Sequence, residues 1–175
     1  MIGRLLKFLC IVLLWTSDLY ATVDFINDVN PLLSRLGCNG SSCHGKAEGQ
    51  NGFKLSVFSH DPDGDFRALT QESRGRRISP AVPSDSLLLR KITGELGHGG
   101  GVRTAKNSKA YNILHDWIKG GMAFKIEDRP ALVKVRLDPT REVMHFGAKQ
   151  QLKVLAEYSD GTKRDVTWLS IFHSN

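Results

Sequence analysis

The chain has 175 residues, 24 Lys and Arg against 18 Asp and Glu, and a formal charge of +6. That length is enough for one ordinary domain or two small ones. The sequence carries no internal repeat and no low-complexity tract, and no nucleic-acid-binding motif accompanies its basic balance.

Residues 1–21 read as an export signal. Arg4 and Lys7 form a basic start, Phe8 to Trp15 is an apolar run, and a polar stretch follows that ends at Ala21. The run is too short to cross a bilayer, which needs about 20 apolar residues in a helix. No integral span is therefore expected after cleavage, and the expected location is periplasmic or in the cell envelope. Removing residues 1–21 also removes Cys10, which leaves Cys38 and Cys43. For an exported chain, the basic excess suits pairing with carboxylates, an acidic partner or plain solubility better than nucleic acid.

Residues 23–36 place Ile26, Val29, Leu33 and Leu36 at helical spacing. Asp24 is the expected N-cap, Pro31 is expected to kink or divide the helix, and Gly37 suits its C-terminal end. The helix would deliver the chain to Cys38-Asn39-Gly40-Ser41-Ser42-Cys43-His44. Two cysteines followed directly by a histidine form the arrangement that holds a c-type haem. The thiols add across the two vinyl groups, and the adjacent imidazole reaches the iron from one face. The common spacing is C-x-x-C-H; the C-x4-C-H found here is a minority variant. The competing readings are a short-loop disulfide beside a bystander His44, and a zinc site. Zinc takes four ligands in closed tetrahedral geometry, and no second Cys/His pair follows at finger spacing.

Residues 45–83 read mostly as loop, with Phe53, Leu55, Val57 and Phe58 as pocket or core contacts. Asp61-Pro62-Asp63-Gly64-Asp65 has the look of a calcium loop, but Phe66 stands where the sharp turn needs glycine, so a polar turn is expected. Arg74-Gly75-Arg76-Arg77 is a basic cluster. A solvated face is its plain reading, and Arg76 or Arg77 forking a haem propionate is its functional one. Ser84 is the expected cap of a short helix through Leu87–Ile92. A glycine-rich loop around His98 follows. Then comes an amphipathic helix, Ser108 to Lys119, with Tyr111, Leu114, Trp117 and Ile118 on one face and Gly120-Gly121 as its stop. The character changes near Asp128-Arg129-Pro130. Val133, Val135 and Leu137 alternate, as do Leu152, Val154, Ala156 and Tyr158, and Ser159-Asp160-Gly161-Thr162 is a hairpin turn.

The stretches VDFINDVNPLLSRLGCNGSSCHG, PAVPSDSLLLRKITGELGHGGG and YNILHDWIKGGM together resemble the planctomycete cytochrome c-like domain. The resemblance covers residues 23–124. It implies that the loop before the last helix carries the second axial ligand, usually Met. This sequence departs there, offering His98 and no methionine; Met122 follows the last helix and Met144 lies beyond the domain. His60 and His115 are the competitors for that position. Residues 131–175 resemble the first half of a bacterial Ig-like domain, group 2. A complete sandwich of that kind has about 7 strands, so the resemblance implies an incomplete module.

The expected architecture is thus a signal peptide over 1–21, a mainly-α cytochrome c-like haem domain over 22–125, and a partial all-β Ig-like sandwich over 130–175. The expected function is one-electron transfer by haem c to a redox partner protein, not catalysis, since His115-Asp116 are helix neighbours that do not face each other. Cys38 and Cys43 would make the thioethers and His44 the proximal iron bond. His98 is the candidate distal ligand, and Arg76 and Arg77 are the candidate propionate contacts. The rival expectation is a cell-surface adhesion or binding module with a structural Cys38–Cys43 disulfide.

Overall fold

The computed structural model describes residues 23–173. The expected export signal over 1–21 lies outside the described residues. Within them, no helix is long and apolar enough to cross a membrane.

Asp24 starts the first helical segment, its carboxylate accepting from the Asn27 N–H at 2.6 Å. One wide, π-type turn spans Phe25–Val29, and α1 follows as Asn30–Arg35. Pro31 stands in the first turn of α1, where its missing N–H costs no hydrogen bond. The proline thus divides the segment, and it does so without breaking the chain's direction. Gly37 follows the helix end with φ +74°, a left-handed conformation that costs glycine little. The free N–H groups at the start are also satisfied from afar: Phe25 donates to the Ala123 carbonyl at 2.9 Å and Ile26 to that of Phe124 at 3.2 Å.

Two helices flank the middle of the chain. α2 spans Pro62–Thr70 and α3 spans Leu87–Ile92. α2 replaces the loop expected between 45 and 83. Asp61 caps it through the Gly64 N–H at 3.0 Å, and Pro62 opens it, so the acidic run is a helix start and not a calcium loop. Buried Asp65 is held by the Ser56 N–H and by the Ser56 hydroxyl at 2.7 Å. α3 is preceded by Ser86 instead of Ser84; buried Ser86 accepts from the Ser79 N–H at 3.0 Å. α4, Lys109–Lys119, is capped by Ser108 and buries Tyr111, Leu114, Trp117 and Ile118.

The core gathers α1, α3 and α4 around Phe25, Leu32, Leu33, Leu89, Leu114 and Trp117. Phe25 lies edge-on to Phe66 at 5.3 Å and tilted to Trp117 at 5.7 Å, while Phe66 meets Phe124 at 5.1 Å. Such pairs add about 0.5–1.5 kcal/mol each beyond their buried area. The Trp117 indole N–H donates to the Ala123 carbonyl at 3.0 Å, so its burial leaves no orphan donor.

The remainder forms one antiparallel sheet in the order β1-β2-β3: β1 Leu132–Asp138, β2 Lys153–Tyr158 and β3 Lys163–Asp165. Val135 pairs with Ala156 and Leu137 with Val154. The β2–β3 turn carries Gly161 at φ +80°, with the Asp160 carboxylate accepting from the Thr162 N–H at 2.9 Å. Arg129 ties the region to the helical part through Asp28 at 2.6 Å and Asp24 at 2.9 Å. Trp168 packs on the core below the Lys109 ammonium, which sits 3.9 Å above its ring.

This architecture corrects the expected fold class. The described residues form a mixed α and β structure of four short α-helices and a three-stranded sheet, not a mainly-α haem domain followed by an Ig-like sandwich. The helices hold only 6, 9, 6 and 11 residues, because prolines, glycines and polar caps stop each one within three turns. Among the described residues no second sheet covers the first. Every residue of β1 is exposed, so the apolar alternation read as a sandwich face has no opposing layer.

Candidate functional site

The end of α1 hands the chain to a tight loop. The Cys38 N–H donates to the Leu33 carbonyl at 2.9 Å, and the His44 N–H returns to the Cys38 carbonyl at 3.0 Å. Between them Cys43 donates to Gly40 at 2.9 Å and Gly45 to the same carbonyl at 3.0 Å. A Cβ on Gly45 would collide with the Asn39 carbonyl, so only glycine fits there. The Asn39 amide anchors the loop by donating to the hydroxyls of Ser34 at 2.7 Å and Ser59 at 3.0 Å. The surplus residues Ser41 and Ser42 are turned to solvent. The longer spacing therefore still aims both thiols the same way.

They face a cavity of about 750 Å³, within the range of roughly 300–1,000 Å³ that holds small molecules and cofactors. Leu33, Leu69, Leu88 and Ile92 form its apolar wall and belong to the core. Cys38, Cys43, His44 and His98 all open onto it. So do Arg76, Arg77, Lys91 and Arg103, and among the described residues no Asp or Glu lines it. The cavity is apolar on one side and cationic on the other.

His44 is oriented by the chain itself. Its Nδ1 lies 3.0 Å from the Phe53 carbonyl, which fixes that nitrogen as the donor and leaves the Nε2 lone pair free. Burial depresses the His44 pKa, against the pull of the Phe53 carbonyl, so the ring stays neutral near pH 7. A neutral imidazole is the form that binds metal. His98 repeats the device on the opposite side: its Nδ1 lies 2.9 Å from the Gly101 carbonyl, again leaving Nε2 free. The two rings are nearly parallel, 12° apart in plane and 6.3 Å between centroids. A metal shared by two imidazole nitrogens at bonds of about 2 Å separates the ring centroids by roughly 6 Å. The observed centroid separation is of that size.

The donor set distinguishes among the metals considered. Among the described residues no group of three or more His, Cys, Asp and Glu converges on a metal position. A closed zinc site needs four such ligands, whereas a porphyrin brings the equatorial nitrogens itself and leaves only the axial positions to the protein. Two thiols for the vinyl groups, two parallel imidazoles with unengaged Nε2 atoms and an apolar wall beside cationic side chains fit a haem. Cys38 and Cys43 are both free thiols. Burial pushes the Cys38 thiol up to about 11, partly offset by the Arg103 charge, so it stays protonated near neutral pH.

The expected site residues fall as follows. Cys38, Cys43, His44, His98, Arg76 and Arg77 line one cavity. Arg77 is buried, and its terminal nitrogens donate to the carbonyls of Ala68 at 2.8 Å and Gly52 at 2.7 Å. Its guanidinium also lies 4.4 Å above the Phe53 ring. Arg77 therefore braces the segment that orients His44. Arg76 is exposed at the rim. His60 is exposed, bonded to the Val57 carbonyl at 3.3 Å, and is not among the lining residues; His115 lies on α4 beside Tyr111. Sequence reasoning overlooked Lys91, whose ammonium donates to the Gly97 carbonyl and steadies the His98 loop. It also overlooked Arg103, whose Nη2 lies 3.4 Å from the Cys43 sulfur. A lone Arg beyond a glycine run gives no periodic signal, so nothing in the sequence marks it. No known family model, curated protein or solved structure matches this chain.

Proposed function

We propose that this chain is an exported c-type haem protein of the periplasm or cell envelope that carries single electrons to and from a partner protein. One observation carries the reading: two free thiols and two parallel imidazoles, 6.3 Å apart with both Nε2 atoms unengaged, open onto one apolar cavity. In this reading Cys38 and Cys43 would hold the group through their thiols, and His44 and His98 would offer their free Nε2 atoms to its iron. When bound, haem supplies a one-electron iron couple whose potential is set by axial ligands, burial and hydrogen bonding. The protein does the rest. The Phe53 and Gly101 carbonyls hold each imidazole in the tautomer that leaves Nε2 free. Leu33, Leu69, Leu88 and Ile92 exclude water from one face. Arg76 and Lys91, on a rim without carboxylates, offer charge to the propionates.

Visible spectroscopy on protein made with haem-attachment machinery tests it. The wild type is expected to give a low-spin spectrum without a methionine–sulfur band. His98→Ala is expected to turn the iron high-spin or open it to carbon monoxide while the thioethers persist. A His98→Ala spectrum identical to wild type removes His98 from the iron and makes His60 the next position to test.

A further inference from the structure

Arg103 is a half-buried cation with no carboxylate partner among the described residues. Its backbone N–H, with that of Thr104, caps the Ile92 carbonyl at the end of α3, at 2.7 and 3.2 Å. These two hydrogen bonds to one carbonyl fix where the side chain leaves. The guanidinium then reaches the attachment loop: Nη2 is 3.4 Å from the Cys43 sulfur, and Nη1 is 3.7 Å from where a Cβ on Gly37 would stand. It also meets the His98 loop. A Cβ on Gly100 would fall 3.1 Å from Arg103 Nη2 and 3.3 Å from His98 Nε2. One positive charge therefore sits where the thiol edge and the distal imidazole converge.

Propionate binding does not explain it. The carboxylates of a haem lie on the edge opposite the vinyl groups, so a guanidinium in contact with an attachment sulfur faces away from them. Nor do its neighbours share its position. Arg77 spends its terminal nitrogens on carbonyls, Lys91 is bonded to Gly97, and Arg76 stands at the exposed rim. We infer that Arg103 is a potential-setting residue, whose fixed charge beside the attachment edge favours the reduced iron and raises the reduction potential. The inference rests on the haem reading. Its physics is Coulombic: reduction removes one positive charge from the iron, and a nearby cation in a poorly solvated site stabilises that form.

The test is the midpoint potential of the full-length haem-loaded protein, for wild type, Arg103→Gln and Arg103→Lys, with haem content checked by mass. Arg103→Gln is expected to keep haem and its low-spin spectrum while the ratio of oxidised to reduced protein at fixed potential rises about tenfold, a fall of roughly 59 mV. Arg103→Lys keeps the charge and is expected to restore at least half of that shift. An unchanged potential in a haem-bearing Arg103→Gln protein overturns the inference and leaves the haem reading intact. If Arg103→Gln fails to hold haem, Arg103→Lys decides alone: a potential near wild type supports the charge, and a full tenfold shift contradicts it. A wild-type protein without haem removes the underlying reading instead.

Discussion

α4 and β1 carry comparable apolar faces, yet Leu114 and Trp117 on α4 are wholly buried while Val133 and Val135 on β1 remain 68% and 54% exposed. What differs is what lies opposite. α4 faces Phe25, Leu32 and Leu89 from three other segments, and its N–H and C=O ends are capped. β1 pairs with one neighbour along one edge and, among the described residues, has no layer above it. Periodicity specifies which side of an element is apolar; burial requires a second element at the right distance. The helical half supplies that element, and with it a rigid floor for the cavity. Trp168 and Leu169, in the turn after β3, pack the sheet region against the core.

Three changes put numbers on this contrast. Trp117→Ala removes a fully buried ring from the aromatic cluster and is expected to cost about 3–5 kcal/mol in urea unfolding. A cost under about 1 kcal/mol would show that the cluster is loosely packed. The second change is pH. In the free-thiol protein the folded Cys38 pKa is raised from 9.0 to about 11 by burial. Its contribution is thus complete below pH 9 and is lost as pH rises through about 11, because the unfolded chain releases the proton first. The loss is on the order of 2 kcal/mol. It should vanish from the pH profile of Cys38→Ala; an equal slope in that variant would assign the effect elsewhere. The smallest change is Val135→Thr on the uncovered strand, expected to alter stability by less than about 0.5 kcal/mol. A cost near that of a core substitution would reveal a hidden layer over β1.

The same contrast explains what could be read in advance. α4 was legible because its apolar residues recur at helical spacing between Ser108 and Gly120-Gly121. The β2–β3 hairpin was legible because Asp160 and Gly161 suit a tight turn. α2 was not, since Asp61 to Asp65 looks like a polar turn until Ser56 is seen partly offsetting the cost of burying Asp65. The sandwich expectation failed because alternation says nothing about a partner sheet. At the site, the thiols and His44 announce themselves by adjacency. The facing of His44 and His98 does not, because it depends on loop closure across more than fifty residues, fixed by the Phe53 and Gly101 carbonyls. Arg103 is further from view still, because its place follows from one backbone carbonyl at the end of α3.

The central claim is a covalently held haem on Cys38 and Cys43. The intact mass of the mature protein, produced with haem-attachment machinery and measured after denaturation, tests it most directly. The account predicts the polypeptide mass plus one haem, lost in the Cys38→Ala/Cys43→Ala double variant. A wild-type mass equal to the bare polypeptide, or lighter by two hydrogens as in a disulfide, would contradict it.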